Sequence, residues 1–150
     1  MTKVGIVSCY NVSEENGCVM VGCLAHAQGK KTFFEQHEGD VVLVGVISCM
    51  GCPTAVGTKK ILRRVKNLVD YGIDALHFSS CLVELCPFLD QFEQLVKDEY
   101  PHLTIVRGTH PYLDPEAFKA GMAEVNAAQV HPPQDVNDVV FKRIEFPKED

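Results

Sequence analysis

Val41-Val42-Leu43-Val44-Gly45-Val46-Ile47-Ser48-Cys49-Met50-Gly51-Cys52-Pro53 decides how the chain is read. Its first seven residues are short, apolar and mostly β-branched, the pattern of a buried strand. The residues after Pro53 change period. Ile61, Leu62, Val65, Leu68 and Val69 fall on one face at helical spacing. Cys49 and Cys52 therefore lie in a strand-to-helix turn. Gly51 lets the backbone turn tightly between them. Pro53 suits a first helical position, because that position leaves its N–H unpaired in any case. Free N–H groups at a helix start favour a thiolate at Cys52. Two such thiolates at CxxC spacing suit a soft metal or a dithiol couple.

Working outward, the alternation continues on both sides. Lys3 to Ser8 reads as a first strand that ends at Cys9, and a polar loop from Tyr10 to Gly17 follows it. Part of Cys18 to Ala27 reads as helix, broken at Gly29-Lys30-Lys31, with Phe33 and Phe34 as core anchors. The helix after the central turn runs to about Tyr71 and is capped by Gly72. A third strand covers Ala75 to Ser80 and ends at Cys81. Cys86-Pro87 opens a helix with Phe88, Leu89, Phe92, Leu95 and Val96 at helical spacing, stopped by Tyr100-Pro101. Leu103 to Arg107 is a fourth strand, followed by Gly108-Thr109-His110. Asp114-Pro115 starts a last helix, with Phe118, Met122 and Val125 as its apolar stripe. His131-Pro132-Pro133 breaks the chain, and Val139 to Phe146 reads as an extra strand or an arm over a neighbour.

Strands alternating with helices predict an α/β fold: three layers, with a mostly parallel sheet of at least four strands and helices on both faces, Rossmann-like or flavodoxin-like. In such sheets the binding crevice lies beyond the carboxyl ends of the strands. Cys9, Cys49, Cys81 and His110 each follow a strand, and Cys52 and Cys86 open the next helices. Residues far apart in sequence are thus expected on one edge. His77, inside a strand, reads as a hydrogen-bonded core histidine.

Composition narrows the class. With 46% apolar and 23% charged residues among 150, the chain is one ordinary globular domain able to bury its own core. A formal net charge of −6 argues against nucleic acid as a partner. The basic residues Lys59, Lys60, Arg63, Arg64 and Lys66 read as a solvated helix face. No apolar run approaches the roughly 18 residues that would span a membrane. The first residues lead into a strand with no secretion signal, so a cytoplasmic location is expected. Seven cysteines, an odd number, cannot form a fully paired disulfide framework, and in a reducing compartment they point to ligand or redox chemistry.

The ordered set of Cys9, Cys18-x4-Cys23, Cys49-Met50-Gly51-Cys52-Pro53, Ser79-Ser80-Cys81, Cys86-Pro87 and Gly108-Thr109-His110 resembles the CGGC-domain family of metal-binding α/β proteins. The resemblance runs from the first strand to His110, with an extension from about residue 112. It implies thiol-rich metal binding, and it adds Cys18, Cys23 and Cys86 to the candidate ligands Cys9, Cys49, Cys52, Cys81 and His110. Two positions depart from the family pattern. Met50 stands where the family has glycine. Phe88 stands where members often carry histidine, which weakens a mixed Cys/His site.

Thiolates suit zinc, copper(I) or iron–sulfur clusters. The number of cysteines and the lack of matching histidines place an iron–sulfur cluster first and zinc second. Cys9, Cys49, Cys52 and Cys81 are the core of that cofactor site. A CxxC dithiol oxidoreductase is the enzyme-class alternative, and no residue is assigned a catalytic role. A redox partner or a second copy of the chain stays open as a partner. Phosphate-loop chemistry is set aside. The sixth residue after Cys9, Cys49, Cys52 and Cys81 is Glu15, Ala55, Thr58 and Pro87, none of them arginine.

Overall fold

The computed structural model describes residues 1–49 and 58–129. Four strands, β1 (Thr2–Ser8), β2 (Val41–Ser48), β3 (Ala75–Phe78) and β4 (Thr104–Arg107), form one sheet in the order β2-β1-β3-β4. Every pairing is parallel, as expected from the alternation. The register levels the strand ends. Ser8 lies opposite Ser48, and Val7, Phe78 and Arg107 form one row. Cys9, Cys49, Ser79 and Gly108 therefore leave the sheet on the same edge. The order reverses between β1 and β3, where open α/β sheets place their ligand crevice.

Among the described residues five α-helices accompany the strands, the first four between strands and the last after β4: α1 (Val21–Gln28), α2 (Thr58–Asp70), α3 (Ser80–Leu85), α4 (Leu89–Glu99) and α5 (Pro115–Gln129). They cover both faces, because side chains alternate along each strand. Val4, Ile6 and Ala75 point to one face, against Cys23 and Ala27 of α1 and Phe34 of a 3-10 turn at Thr32–Phe34. Val7, Leu76 and Phe78 point to the other. There they meet Ile61, Val65 and Leu68 of α2, Leu89, Phe92 and Val96 of α4, and Met122 of α5. Gly5 permits this approach, since a Cβ there would sit 2.6 Å from Leu68 Cδ1. Gly72 ends the turn after α2 at φ +77°, and Asp114 Oδ1 accepts the Ala117 N–H at 2.9 Å to cap α5.

Several expectations are corrected. The run that reads as a buried strand, β2, is mostly half-buried and, among the described residues, lies at the edge of the sheet. Its partner β1, paired on both sides, takes the centre. The third strand stops at Phe78, and Ser80 and Cys81 belong to the first turn of α3. Cys86 ends α3 rather than opening α4, which starts at Leu89. Pro87 explains this, because a residue before proline is pushed out of the helical region, and Cys86 has φ −83° and ψ 114°. The polar loop after Cys9 contains a π-helical turn at Asn11–Glu15. Arg64, read as part of a solvated face, is half-buried and donates to Ser48 O at 3.3 Å, holding the end of β2. The Met50-Gly51-Cys52-Pro53 turn, the break at 131–133 and the extra strand at 139–146 lie outside the described residues. Among the described residues no helix is long and apolar enough to cross a membrane.

Candidate metal centre

The sheet ladder continues past the strand ends and fixes the residues that follow. Cys49 N–H donates to Ser8 O at 2.9 Å, Ser79 N–H to Val7 O at 2.9 Å, and Gly108 N–H to Phe78 O at 2.8 Å. Cys9 is held by its own carbonyl, which accepts the Ser13 N–H at 3.0 Å and the Ser13 hydroxyl at 3.1 Å within the π-helical turn. Cys9, Cys49 and Cys81 are all buried.

Their sulfurs meet. The Cys9 thiol is in hydrogen-bond contact with both Cys49 and Cys81. The Cys49 sulfur also accepts the Tyr10 N–H at 3.3 Å, and Ser79 Oγ lies 2.9 Å from Cys81 Sγ. These contacts divide the protons unequally. The Cys9 S–H donation and, against burial, the Ser79 hydroxyl and the N–H groups of Cys9 and Leu82 pull the Cys81 thiol down to about 6. Contacts with Cys49 and Cys81, with burial added, push Cys9 up. Of this pair, the contacts favour the thiolate form at Cys81 and the thiol form at Cys9.

Cys9 and Cys81 line a small cavity of about 20 Å³ together with Cys18, Met20, Cys23, Ser13, Ser79, His110 and Tyr112. Such a volume holds one water-sized occupant, since a single probe sphere takes about 10–15 Å³. Cys23 is buried, its thiol pushed up mainly by that burial, and its sulfur lies 3.2 Å from Thr109 Oγ1. Cys18 is exposed. The phenol of Tyr112 is also pushed up, by burial first and then by the surrounding cysteines. His110 Nδ1 donates to Pro111 O at 3.1 Å, which leaves Nε2 as the basic nitrogen of the neutral ring. That ring lies over the first turn of α1, where a Cβ on Gly22 would come within 3.1 Å of it.

Of the residues proposed from sequence, Cys9, Cys49 and Cys81 are thus brought together, with Cys18, Cys23 and His110 around the adjoining cavity. Cys86 is not among the cavity's lining residues. It is half-buried against the core, and its N–H donates to Leu82 O at 2.9 Å. Cys52 lies outside the described residues. Among the described residues no three His, Cys, Asp or Glu side chains are arranged to hold a metal ion by themselves. The donor chemistry of these thiols fits a thiophilic metal.

Several supporting residues carry no sequence signal of their own. Ser80 Oγ accepts the N–H of Thr109 and of His110, each at 3.0 Å, and donates to the His110 carbonyl. This hydroxyl clamps the loop after β4 to the start of α3. Tyr112, stacked on Phe118 at 4.2 Å, was unsignalled because aromatic residues in loops follow no period. His77 confirms its expected role: Nδ1 donates to Gly108 O at 2.8 Å. That leaves Nε2 of the neutral ring to accept from His37 Nε2 at 2.7 Å, so both tautomers are set. His37 had shown no pattern in the sequence.

Gly108 joins this pair to the site. Its φ is +122°, and a Cβ there would meet the Phe33 ring at 2.5 Å. Gly108→Ala is therefore expected to cost about 2–4 kcal/mol through backbone strain and overpacking. Urea denaturation at neutral pH checks this, and a loss below about 0.5 kcal/mol would contradict it.

Fold and site together define a doubly wound α/β domain with a thiol cluster at the carboxyl edge of its sheet. The CGGC domain family matches residues 3–110, and the chain belongs to that family. Membership suggests a Cys-rich, metal-binding protein. No curated protein and no solved structure matches the chain.

Proposed function

We propose that the chain binds one thiophilic metal ion through the thiolates of Cys9, Cys49, Cys52 and Cys81, with zinc the ion best suited. The observation that carries this reading is the common strand edge: Cys49 N–H donates to Ser8 O and Ser79 N–H to Val7 O, which gathers the buried Cys9, Cys49 and Cys81 at one end of the sheet. In a tetrahedral site with Zn–S of about 2.3 Å, neighbouring sulfurs stand about 3.8 Å apart, the range of thiol–thiol hydrogen bonds. An iron–sulfur cluster, the expectation from cysteine number, would draw on the same four cysteines. Cys52 joins by its CxxC spacing from Cys49.

The bound ion would supply charge that keeps the thiolates deprotonated. The chain supplies the rest. Ser79 and the N–H groups of Cys9, Tyr10 and Leu82 stabilise sulfur charge. The apolar walls exclude water.

Metal analysis of anaerobically purified protein tests the reading, beside Cys49→Ser and Cys52→Ser variants. One zinc per chain, no visible absorbance and loss of metal in both variants are expected, with circular dichroism unchanged because the domain has its own apolar core. Brown protein with iron and acid-labile sulfide would replace zinc by a cluster. Wild-type metal content in both variants would remove the central turn from the site.

One observation favours a second reading. The proton-sharing pair Cys9–Cys81 resembles a reactive dithiol, since a lowered thiol pKa raises the thiolate fraction at neutral pH. Metal-free protein with one fast-alkylating cysteine, located at Cys81, would support it.

A further inference from the structure

Helix α1 is uncharged on every side, yet only one side of it is buried. Cys23 and Ala27 turn inward, while Val21, Ala25 and Gln28 are exposed and Leu24 is half-buried. No Asp, Glu, Lys or Arg occurs between Glu15 and Lys30. A helix without a charged face ordinarily lies between two layers of protein. Just before it, Met20 turns the chain at φ 64° and ψ 20°, with Val19 77% and Val21 66% exposed on either side. The face continues across the molecule as a strip of rings. His26 of α1 lies 6.0 Å from His110, His110 5.0 Å from Tyr112, and Tyr112 4.2 Å from Phe118 of α5, centroid to centroid. All four rings are partly exposed, and Leu113 beside them is fully exposed. On these segments charges appear only at the α5 end, where Asp114 is exposed and Lys119 pairs with Glu84 and Glu116 at 3.1 Å each.

We infer that this face pairs two copies of the chain about a two-fold axis, with α1 packed against α1 of the second copy. About such an axis the same surface meets itself, so a charge near the axis would face its like. The α1 half of the face carries none, and the charged α5 ends fall at opposite extremes. A different protein would be selected by a charge pattern, which α1 lacks. The net charge of −6 sets the chain against an anionic lipid surface. Eight helical residues span only about 12 Å, too little alone for the roughly 800 Å² per copy that a stable dimer buries. The ring strip and Leu113 extend the area, and aromatic residues without charge are the composition of an interface core. Met20, His110 and Tyr112 belong both to this face and to the cavity lining, so the second copy closes the mouth of the thiol cavity. The pairing does not depend on which metal the thiols hold.

Sedimentation velocity tests this on the full chain as purified, in reductant so that no disulfide links the copies. Wild type should sediment as one species of about 33 kDa, twice the 16.6 kDa chain. Val21→Glu and Ala25→Glu should each weaken pairing by at least about a hundredfold, because carboxylates then meet across the axis. Val21 opens α1, where a carboxylate suits the helix dipole, so loss of pairing there is not unfolding, and circular dichroism checks both variants. Ala25→Glu mixed with Ala25→Lys should pair again. Tyr71→Glu, at a residue 77% exposed outside the face, should remain a dimer. A monomeric wild type would overturn the inference and leave the face to another protein. Dimers that persist in both glutamate variants, or that are lost equally in Tyr71→Glu, would place any pairing on a different surface. Failure of the Ala25 mixture to pair would overturn the two-fold arrangement.

Discussion

Cys9→Ser is expected to lower zinc affinity by roughly a hundredfold, while Cys86→Ser leaves it within about threefold of wild type. Structural zinc binding is worth about 10–16 kcal/mol over four ligands, or about 3 kcal/mol for each. At 1.4 kcal/mol per tenfold that is about two decades. Serine keeps the size but offers a hard, largely protonated oxygen. The loss at Cys9 carries a further consequence, because its sulfur is the one in contact with both Cys49 and Cys81. Removing it leaves those two without their bridge. Cys86 sits at the end of α3, away from the cavity lining, and serves here as the control. Competition against a chromogenic zinc chelator measures both variants. Equal losses would mean that the metal is held by a different set of thiols.

Acid should destabilise the metal-free protein through His77. Burial, against the hydrogen bond to Gly108, holds this ring down to about 4, compared with 6.5 for an ordinary histidine. Between those values the unfolded chain binds a proton that the folded chain refuses. The stabilisation is complete above about pH 6.5 and is lost as pH falls toward 4, by up to about 3 kcal/mol. His37 shifts in the same direction through burial and the nearby Lys30. The two rings together take up only one added proton, since a single hydrogen fits between their facing nitrogens, 2.7 Å apart, and both cannot donate. Urea midpoints at pH 7 and pH 4.5 give the measurement, for wild type and His77→Asn. Asparagine keeps a donor toward Gly108 O but does not titrate. The variant retains every thiol, so cysteine titration cancels in the difference. A midpoint that falls as far in His77→Asn as in wild type would remove the histidine pair as the cause.

The layering of strands and helices could be read from the chain because each strand is a short, largely apolar run followed by a turn residue or a cysteine, with helical spacing between the runs. That Cys9 and Cys49 share one edge follows from it, since parallel strands end together, whereas Cys81 reaches that edge from the first turn of α3. The position of β2 could not be read in the same way. Its residues are as apolar as those of a central strand, and only strand order leaves one side of it unpaired. The split between Cys23, which lines the cavity, and Cys86, which does not, depends on local backbone: a left-handed Met20 in one case, an extended residue before Pro87 in the other. Ser80, Thr109 and Tyr112 act through contacts between distant segments, for which spacing along the chain provides no sign.

The span shared with the family ends at His110, and the aromatic ring that walls the cavity arrives two residues later. Tyr112 is anchored by stacking on Phe118 of α5, itself outside that span. Grip and release are therefore written in separate stretches of chain. On the proposed reading, the donor atoms within the shared span would set how strongly an ion is held at equilibrium, and the tyrosine and its anchor would border the way between cavity and water. A substitution in the second stretch would then change residence time while leaving every sulfur in place. The same thiol set can thus serve long storage or quick hand-over, according to the residues that follow it.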